Sequence, residues 1–211
     1  MGKISFATIR RLSRYYRNLG YAEEHQIVTM SSEELARRIN LTAAQVRKDL
    51  SFFGAFGRRG LGYNVTDLKN NIAKILGIDR TWNVAIVGAG NIGRALINFD
   101  QFKKQGFLIK SVVDNDPDKI GRKIGEIEVK DIANVQEEVK THKIDIAVIC
   151  VPAQVAQKVV NSLVEPEVGI TAILNFAPIT ISVPEGIHIR NENIAIDIEA
   201  LSFSLTNPHL V

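Results

Sequence analysis

The chain is short of the groups that usually announce covalent or metal chemistry. It has one cysteine, Cys150, in 211 residues, so no internal disulfide can form and a reducing, cytoplasmic setting is expected. Cys150 sits inside an apolar run and reads as a small core residue rather than a nucleophile. The four histidines, His25, His142, His188 and His209, are scattered without metal-ligand or nucleophile spacing. Neither a metal site nor a catalytic constellation is therefore expected. No stretch approaches the ~20 apolar residues of a membrane span, and the start, Met1 to Phe6, lacks the apolar run of a signal peptide. There is no internal repeat and no low-complexity tract. A soluble globular protein with no membrane contact is what remains.

Proline is missing from the front of the chain. All six prolines (Pro117, Pro152, Pro166, Pro178, Pro184, Pro208) lie in the second part. Acid is also scarce there: residues 1–81 hold 14 Lys and Arg against 7 Asp and Glu, while residues 82–211 hold 12 against 16. The net charge of +3 thus hides a front of +7 and a back of −4. A basic front and an acidic back suggest two units with different partners. The boundary is placed near Gly77–Trp82, giving units over 1–80 and 81–192 and a tail over 193–211.

In the front unit, Ile9, Leu12, Tyr16 and Leu19 are spaced as on one face of a helix, with Arg10, Arg14 and Arg17 opposite and Gly20 as its end. Ser31 with Glu34 forms a capping box for a second helix that buries Leu35 and Ile39. Thr42 with Gln45 starts a third, whose inward stripe is Val46, Leu50 and Phe53. That stripe leaves Ala44, Lys48 and Ser51 outward, flanked by Gln45 and Arg47. Amide and basic side chains on an exposed helix face suit base edges and phosphates in a major groove. Gly54, Gly57, Gly60 and Gly62 then surround Arg58 and Arg59 and end near Tyr63, as in a charged hairpin able to reach a minor groove. A last helix, apolar at Val65, Leu68, Ile72, Ile75 and Leu76, stops at Gly77. This is the pattern of a winged helix-turn-helix, and the candidate DNA contacts are Arg10, Gln45, Arg47, Lys48, Ser51, Arg58, Arg59 and Tyr63. A small helical docking domain with a solvated basic face is the alternative.

The back unit opens on a buried strand, Asn83 to Gly88, and a turn of Gly88, Ala89, Gly90, Asn91, Ile92 and Gly93. A second strand, Leu108 to Asp114, places an acid 21 residues after Gly93. Strand, G-x-G-x-x-G turn, helix and distal acid together are a dinucleotide-binding pattern. Gly88 makes the turn, Gly90 admits a pyrophosphate, Gly93 lets helix and strand pack, and Asp114 accepts both adenosine ribose hydroxyls. Asp114, Asn115 and Asp116 with no nearby arginine favour NAD(H) over NADP(H). A polar helix from about Ile132 to Val139, an apolar strand over Ile144 to Val151, a helix from Ala153 to Val164 and a strand over Ile170 to Leu174 continue the alternation. The fold class is α/β, a Rossmann-type doubly wound parallel sheet. Val151, Pro152, Asn175, Phe176 and Ala177 then fall on the ligand-binding edge. In the tail, Ile194, Ile196, Ile198, Leu201, Phe203 and Leu205 make a helix apolar nearly all round, which one sheet face cannot cover. A second subunit is the expected source of burial.

The segments Arg47–Gly54 (RKDLSFFG), Gly60–Tyr63 (GLGY), Gly88–Gly93 (GAGNIG) and Asn175–Pro178 (NFAP), in this order, resemble the redox-sensing transcriptional repressor Rex family of bacteria. The resemblance spans essentially the whole chain. It implies a homodimer that binds palindromic double-stranded operator DNA, NADH and NAD⁺ as cofactors, and a C-terminal helix exchanged between protomers. It further implies repression of fermentation and anaerobic-respiration genes, relieved when NADH is high. The family pattern has a tyrosine where this sequence has Phe99 and an aspartate at Asn193, linked to a helix-1 arginine matching Arg17. Phe99 joins the candidate cofactor residues on this ground, and closure around Phe99 and Phe176 is expected with NADH. A small NAD-dependent oxidoreductase with a basic appendage, and a coenzyme A-binding domain, are the competing readings.

Overall fold

Capping signals set the first unit. In the computed structural model, which describes residues 4–58 and 60–210, Ser5 accepts from the Thr8 N–H and starts α1 (Phe6–Glu24). Its buried stripe is Thr8, Leu12, Tyr15, Leu19 and Ala22. This stripe is one residue round from the one expected: Ile9 is exposed and Tyr16 only partly covered, because Tyr15 finds a buried partner for its hydroxyl. Gly20 does not end the helix either. One glycine costs roughly 1 kcal/mol in a helix interior, too little to break a turn packed through Leu19 and Ala22. After β1 (Thr29–Met30), the Ser31 hydroxyl caps α2 (Ser32–Arg38) and the Thr42 hydroxyl caps α3 (Ala43–Ser51). The tight turn between α2 and α3 passes through Asn40 at φ 53°, a left-handed position that asparagine tolerates. A hairpin of β2 (Gly57–Arg58) and β3 (Gly62–Asn64) pairs antiparallel with β1, and α4 (Val65–Leu76) ends on Gly77 at φ 69°. Leu12, Leu19, Leu35, Val46, Leu68 and Ile72 form the core of this unit.

The second unit is a seven-stranded sheet. Its elements are β4 (Trp82–Val87), α5 (Asn91–Ile97), α6 (Asp100–Lys104), β5 (Phe107–Asp114), β6 (Lys123–Ile124) and β7 (Ile127–Asp131). A 3-10 turn, α7 (Val135–His142), β8 (Ile146–Ile149), α8 (Ala153–Leu163), β9 (Ala172–Asn175), β10 (His188–Asn191) and α9 (Ile194–Thr206) follow. The spatial order is β10-β9-β8-β4-β5-β7-β6, all parallel except β6. Without the β6 edge, that is the doubly wound order in which the chain reverses direction between β4 and β8. The short β6–β7 hairpin and β10 were not legible beforehand, the first being mostly half-buried, the second mostly exposed, and both lacking a continuous apolar run.

The pleat divides the sheet into two faces. Ala85, Val87, Val113, Ala147 and Ile149 face Val139 of α7 and Val160 and Leu163 of α8, and are fully covered. Val84, Ile86, Val112 and Val148 face the other way, where Leu174 and Phe176 are only partly buried. The helix α9 buries none of its residues, leaving Ile194, Ile196, Ile198, Leu201, Phe203 and Leu205 between 52% and 84% exposed. Contacts divide the chain at Arg80/Thr81, with α9 inside the second unit.

Candidate functional site

The glycine turn is built by backbone crowding. Gly88 lies at φ 104°, and a Cβ there would stand 2.7 Å from the Cys150 carbonyl oxygen. A Cβ on Gly93 would fall 2.0 Å from the Gly88 carbonyl oxygen, so only glycine lets α5 approach β4. Gly90 is different: a Cβ there would meet nothing within 4 Å. It opens onto a cavity of about 1250 Å³ at the carboxyl ends of β4, β5, β8 and β9. No side chain caps α5 at Gly90, so its first N–H groups stay available to an anion. Free space at Gly90 beside uncapped amides is what a pyrophosphate requires, and the residues present fit a dinucleotide.

Gly88, Gly90, Asn91, Ile92, Asp114, Val151, Pro152 and Phe176 line this cavity. Five expected residues do not. Ala89 and Gly93 are buried and act through backbone packing. Asn175 is 0% exposed, and its amide donates to the carbonyls of Ala177 and Ile179 and to Asn191 Oδ1 while its oxygen accepts from the Ala177 N–H. Asn175 and Ala177 thus shape the turn that presents Phe176 and Pro178, and neither meets the cavity. Phe99 is half exposed, packs edge-to-face on Phe102 at 5.3 Å, and lies outside the cavity. Asn193, the other departure from the family pattern, caps α9 by accepting from the Ala195 N–H.

Asp114 also differs from expectation. It is 5% exposed, and Oδ2 accepts from the Ala89 N–H at 2.7 Å and from Lys119 Nζ at 3.2 Å, while Oδ1 accepts from the Asp116 N–H at 2.9 Å. Burial is the largest single influence and pushes its pKa up. The Asp116 and Ala89 N–H groups and Lys119 together outweigh it and hold the carboxyl below the ordinary range. A carboxylate has about four acceptor positions, so one is left and Asp114 cannot accept both ribose hydroxyls while these bonds hold. Lys119, which sequence reading missed, bridges Asp114 and Asp116. Its signal was its position, five residues past the acid. Ile132, Ala133, Val155 and Val159 supply apolar walls that no motif marked. Burial pushes the Cys150 thiol up to about 12, so it stays protonated and unreactive.

In the first unit, Arg47, Ser51, Arg58 and Tyr63 line a groove of about 670 Å³ between α3 and the hairpin. Lys48 and Arg58 are exposed, without an acid partner among the described residues. Arg47 donates to Ser32 Oγ at 2.8 Å and Glu33 Oε1 at 3.0 Å, which poises its guanidinium at the groove. Ser51 donates to the Lys48 carbonyl, and Arg10 is exposed on α1. Two expected contacts are also engaged within the unit. Tyr63 is 9% exposed and belongs to the core, where Gly57 packs on its ring. Gln45 gives its amide N–H to Asp49 Oδ1 at 2.8 Å. Arg59 lies outside the described residues. Asp49, which no motif singled out as buried, is 0% exposed and also accepts from Arg11 at 2.6 and 2.7 Å and from the Tyr15 hydroxyl at 2.7 Å. This network ties the reading helix to α1.

A winged helix-turn-helix joined to a dinucleotide-type α/β domain is the architecture of a ligand-responsive transcriptional regulator. Two family models match: residues 3–51 the putative DNA-binding protein N-terminus, and residues 79–179 the CoA binding domain. The redox-sensing transcriptional repressor Rex of Desulfitobacterium hafniense is 44% identical over 203 residues, covering 96% of each chain. That of Clostridioides difficile is 46% identical over 200 residues, covering 95% of this chain and 94% of its own. The solved structure of RSP, a Rex-family repressor, in complex with β-NAD⁺ and operator DNA superposes with a TM-score of 0.93 at 40% identity, covering 100% of this chain and 96% of that one. RSP with β-NADH gives 0.88 at 39%, covering 100% and 98%. The chain belongs to the Rex family of redox-sensing transcriptional repressors.

Proposed function

We propose that this protein is a homodimeric, cytoplasmic repressor that binds palindromic operator DNA and leaves it when NADH is high. The observation that carries this reading is the pairing, in one chain, of an open glycine cradle on a large cavity with an exposed basic helix-and-hairpin face. RSP has been solved both with β-NAD⁺ and operator DNA and with β-NADH, and similarity to it over the full chain supports the same ligands here. The uncapped amides of α5 would hold the pyrophosphate, and Asp114 would accept one ribose hydroxyl through its remaining position. Val151, Pro152 and Phe176 would flank the nicotinamide and exclude water from it. NADH lacks the ring charge of NAD⁺, and an apolar wall favours the neutral ring.

Lys48 and Arg58 would meet phosphates, with Arg47 and Ser51 toward the bases; Arg10 and Arg59 remain candidate phosphate contacts. In a dimer the two reading helices must sit about 34–36 Å apart, or a multiple, to enter successive major grooves. The apolar α9 and the half-covered sheet face at Leu174 and Phe176 offer the surfaces for exchange between protomers. Operator binding measured by fluorescence anisotropy against NADH, NAD⁺ and no ligand tests the reading: NADH lowers operator affinity and NAD⁺ does not. Equal affinity in all three conditions would overturn it.

A further inference from the structure

The groove between α3 and the hairpin holds an acid on a surface that faces DNA phosphates. Glu33, at the start of α2, is the one carboxylate among the described residues that line it. It does not neutralise a buried cation, since the Arg47 and Glu33 side chains are 54% and 68% exposed. The two meet in a closed ring of hydrogen bonds. Arg47 Nη1 donates to Glu33 Oε1 at 3.0 Å and to Ser32 Oγ at 2.8 Å, while the Ser32 hydroxyl donates to Glu33 Oε2 at 3.3 Å. Ser32 is buried and gives the ring a fixed foot. The Glu33 carboxyl is held below its ordinary range, first by its own backbone N–H and then, against partial desolvation, by Arg47 and the Ser31 and Ser32 hydroxyls. It is therefore ionised at neutral pH.

A guanidinium has five N–H donors, and the ring takes both of those on Nη1. The edge formed by Nε–H and Nη2–H makes no hydrogen bond among the described residues. That edge is a two-donor fork, the shape that meets paired acceptors on a base. An untethered guanidinium on its flexible stem would instead take the nearest phosphate, a contact that adds affinity on any sequence and discriminates none. We propose that Glu33 is a specificity-determining residue of the DNA interface: with Ser32 it withholds Arg47 from phosphates and keeps the open fork for base edges. This rests on the operator-binding reading above. Operator DNA gives the fork its acceptors, so the tether weakens that complex little. Other DNA offers Arg47 only phosphates, and there it must break the ion pair with Glu33 or forgo the contact. No motif marked Glu33, because an acid in the first turn of a helix is also a favourable N-terminal residue.

The test uses the full-length protein without NADH and two labelled duplexes: one that the wild-type protein selects from a randomised library, and a scrambled duplex of the same length and composition. Fluorescence anisotropy gives the ratio of the two affinities. Glu33→Gln keeps the side-chain length and removes the charge. It should lower the ratio about three- to fivefold, the range of one exposed ion pair, through tighter binding of the scrambled duplex. The salt dependence of that binding should steepen by about one unit in slope as Arg47 takes a phosphate. Glu24→Gln, at an exposed acid outside the groove, should leave the ratio unchanged. So should Glu33→Gln in an Arg47→Gln background, where there is no guanidinium to release. A ratio that Glu33→Gln leaves unchanged, that falls through weaker binding of the selected duplex, or that falls equally in the Arg47→Gln background overturns the proposal. If the wild-type protein enriches no duplex from the library, the operator reading itself has failed, and that result is distinct from loss of selectivity.

Discussion

Asp49 and Asp114 are both buried, both carry three or more hydrogen bonds, and both hold a functional segment in place rather than exposing a charge. Burial alone would raise the Asp49 pKa; hydrogen bonds from Arg11, Tyr15 and Gln45 outweigh it and lower the folded value. A depressed folded pKa means the ion pair contributes fully above the unfolded value of about 3.9 and is lost as pH falls through the folded value. Asp49→Asn should cost the protein about 3 kcal/mol at pH 7, the low end for breaking a buried pair, because Arg11 is 21% exposed and can rehydrate. Denaturant titration should show the gap from wild type closing only below about pH 4. Glycines of one motif should also separate. Gly93→Ala, with its 2.0 Å clash, should lower stability by about 1–3 kcal/mol and abolish NADH binding. Gly90→Ala meets open space and should leave the melting temperature unchanged while weakening NADH, since its methyl group occupies ligand volume. Thermal melts with NADH titrations check both.

Elements explain which expected residues reached a site. The helix α3 was legible because Thr42 caps it and Val46 and Leu50 bury, so Lys48 and Ser51 point outward as their spacing requires. Lys48→Ala should flatten the salt dependence of operator binding by about one unit in slope, read from affinity measured across a range of potassium chloride; an unchanged slope would remove Lys48 from the interface. In α1 the buried stripe lies one residue round from the one its spacing suggests, since Ile9 and Tyr16 satisfy a helical stripe as well as Thr8 and Tyr15 do. The deciding partner, Asp49, lies 34 residues from Tyr15. Tyr63 and Asn175 each sit in a functional motif and are also claimed from within: Tyr63 is largely buried while still lining the groove, and turn hydrogen bonds take up the Asn175 amide.

For the whole molecule, an unburied apolar helix and a half-covered sheet face call for a second copy. Ile198→Glu with Leu201→Glu should shift sedimentation from dimer to monomer and lose tight operator binding, because one protomer reaches only one half-site. Coupling between cofactor and DNA is reciprocal at equilibrium: whatever factor NADH removes from operator affinity, operator must remove from NADH affinity. Titrating NADH with and without operator measures it.

Local patterns in the chain suffice for the two-unit plan, the α/β class, the capped helices and the glycine turn. Each depends on near neighbours: three residues for a cap, six for the phosphate turn, alternation along a strand. The tertiary structure alone decided that Asp114 pins the Ala89 and Asp116 amides, that Phe99 lies away from the cavity, and that Ser32 and Glu33 hold the Arg47 guanidinium. Those outcomes depend on which distant side chains claim an acceptor or a volume first, and no local spacing encodes that competition.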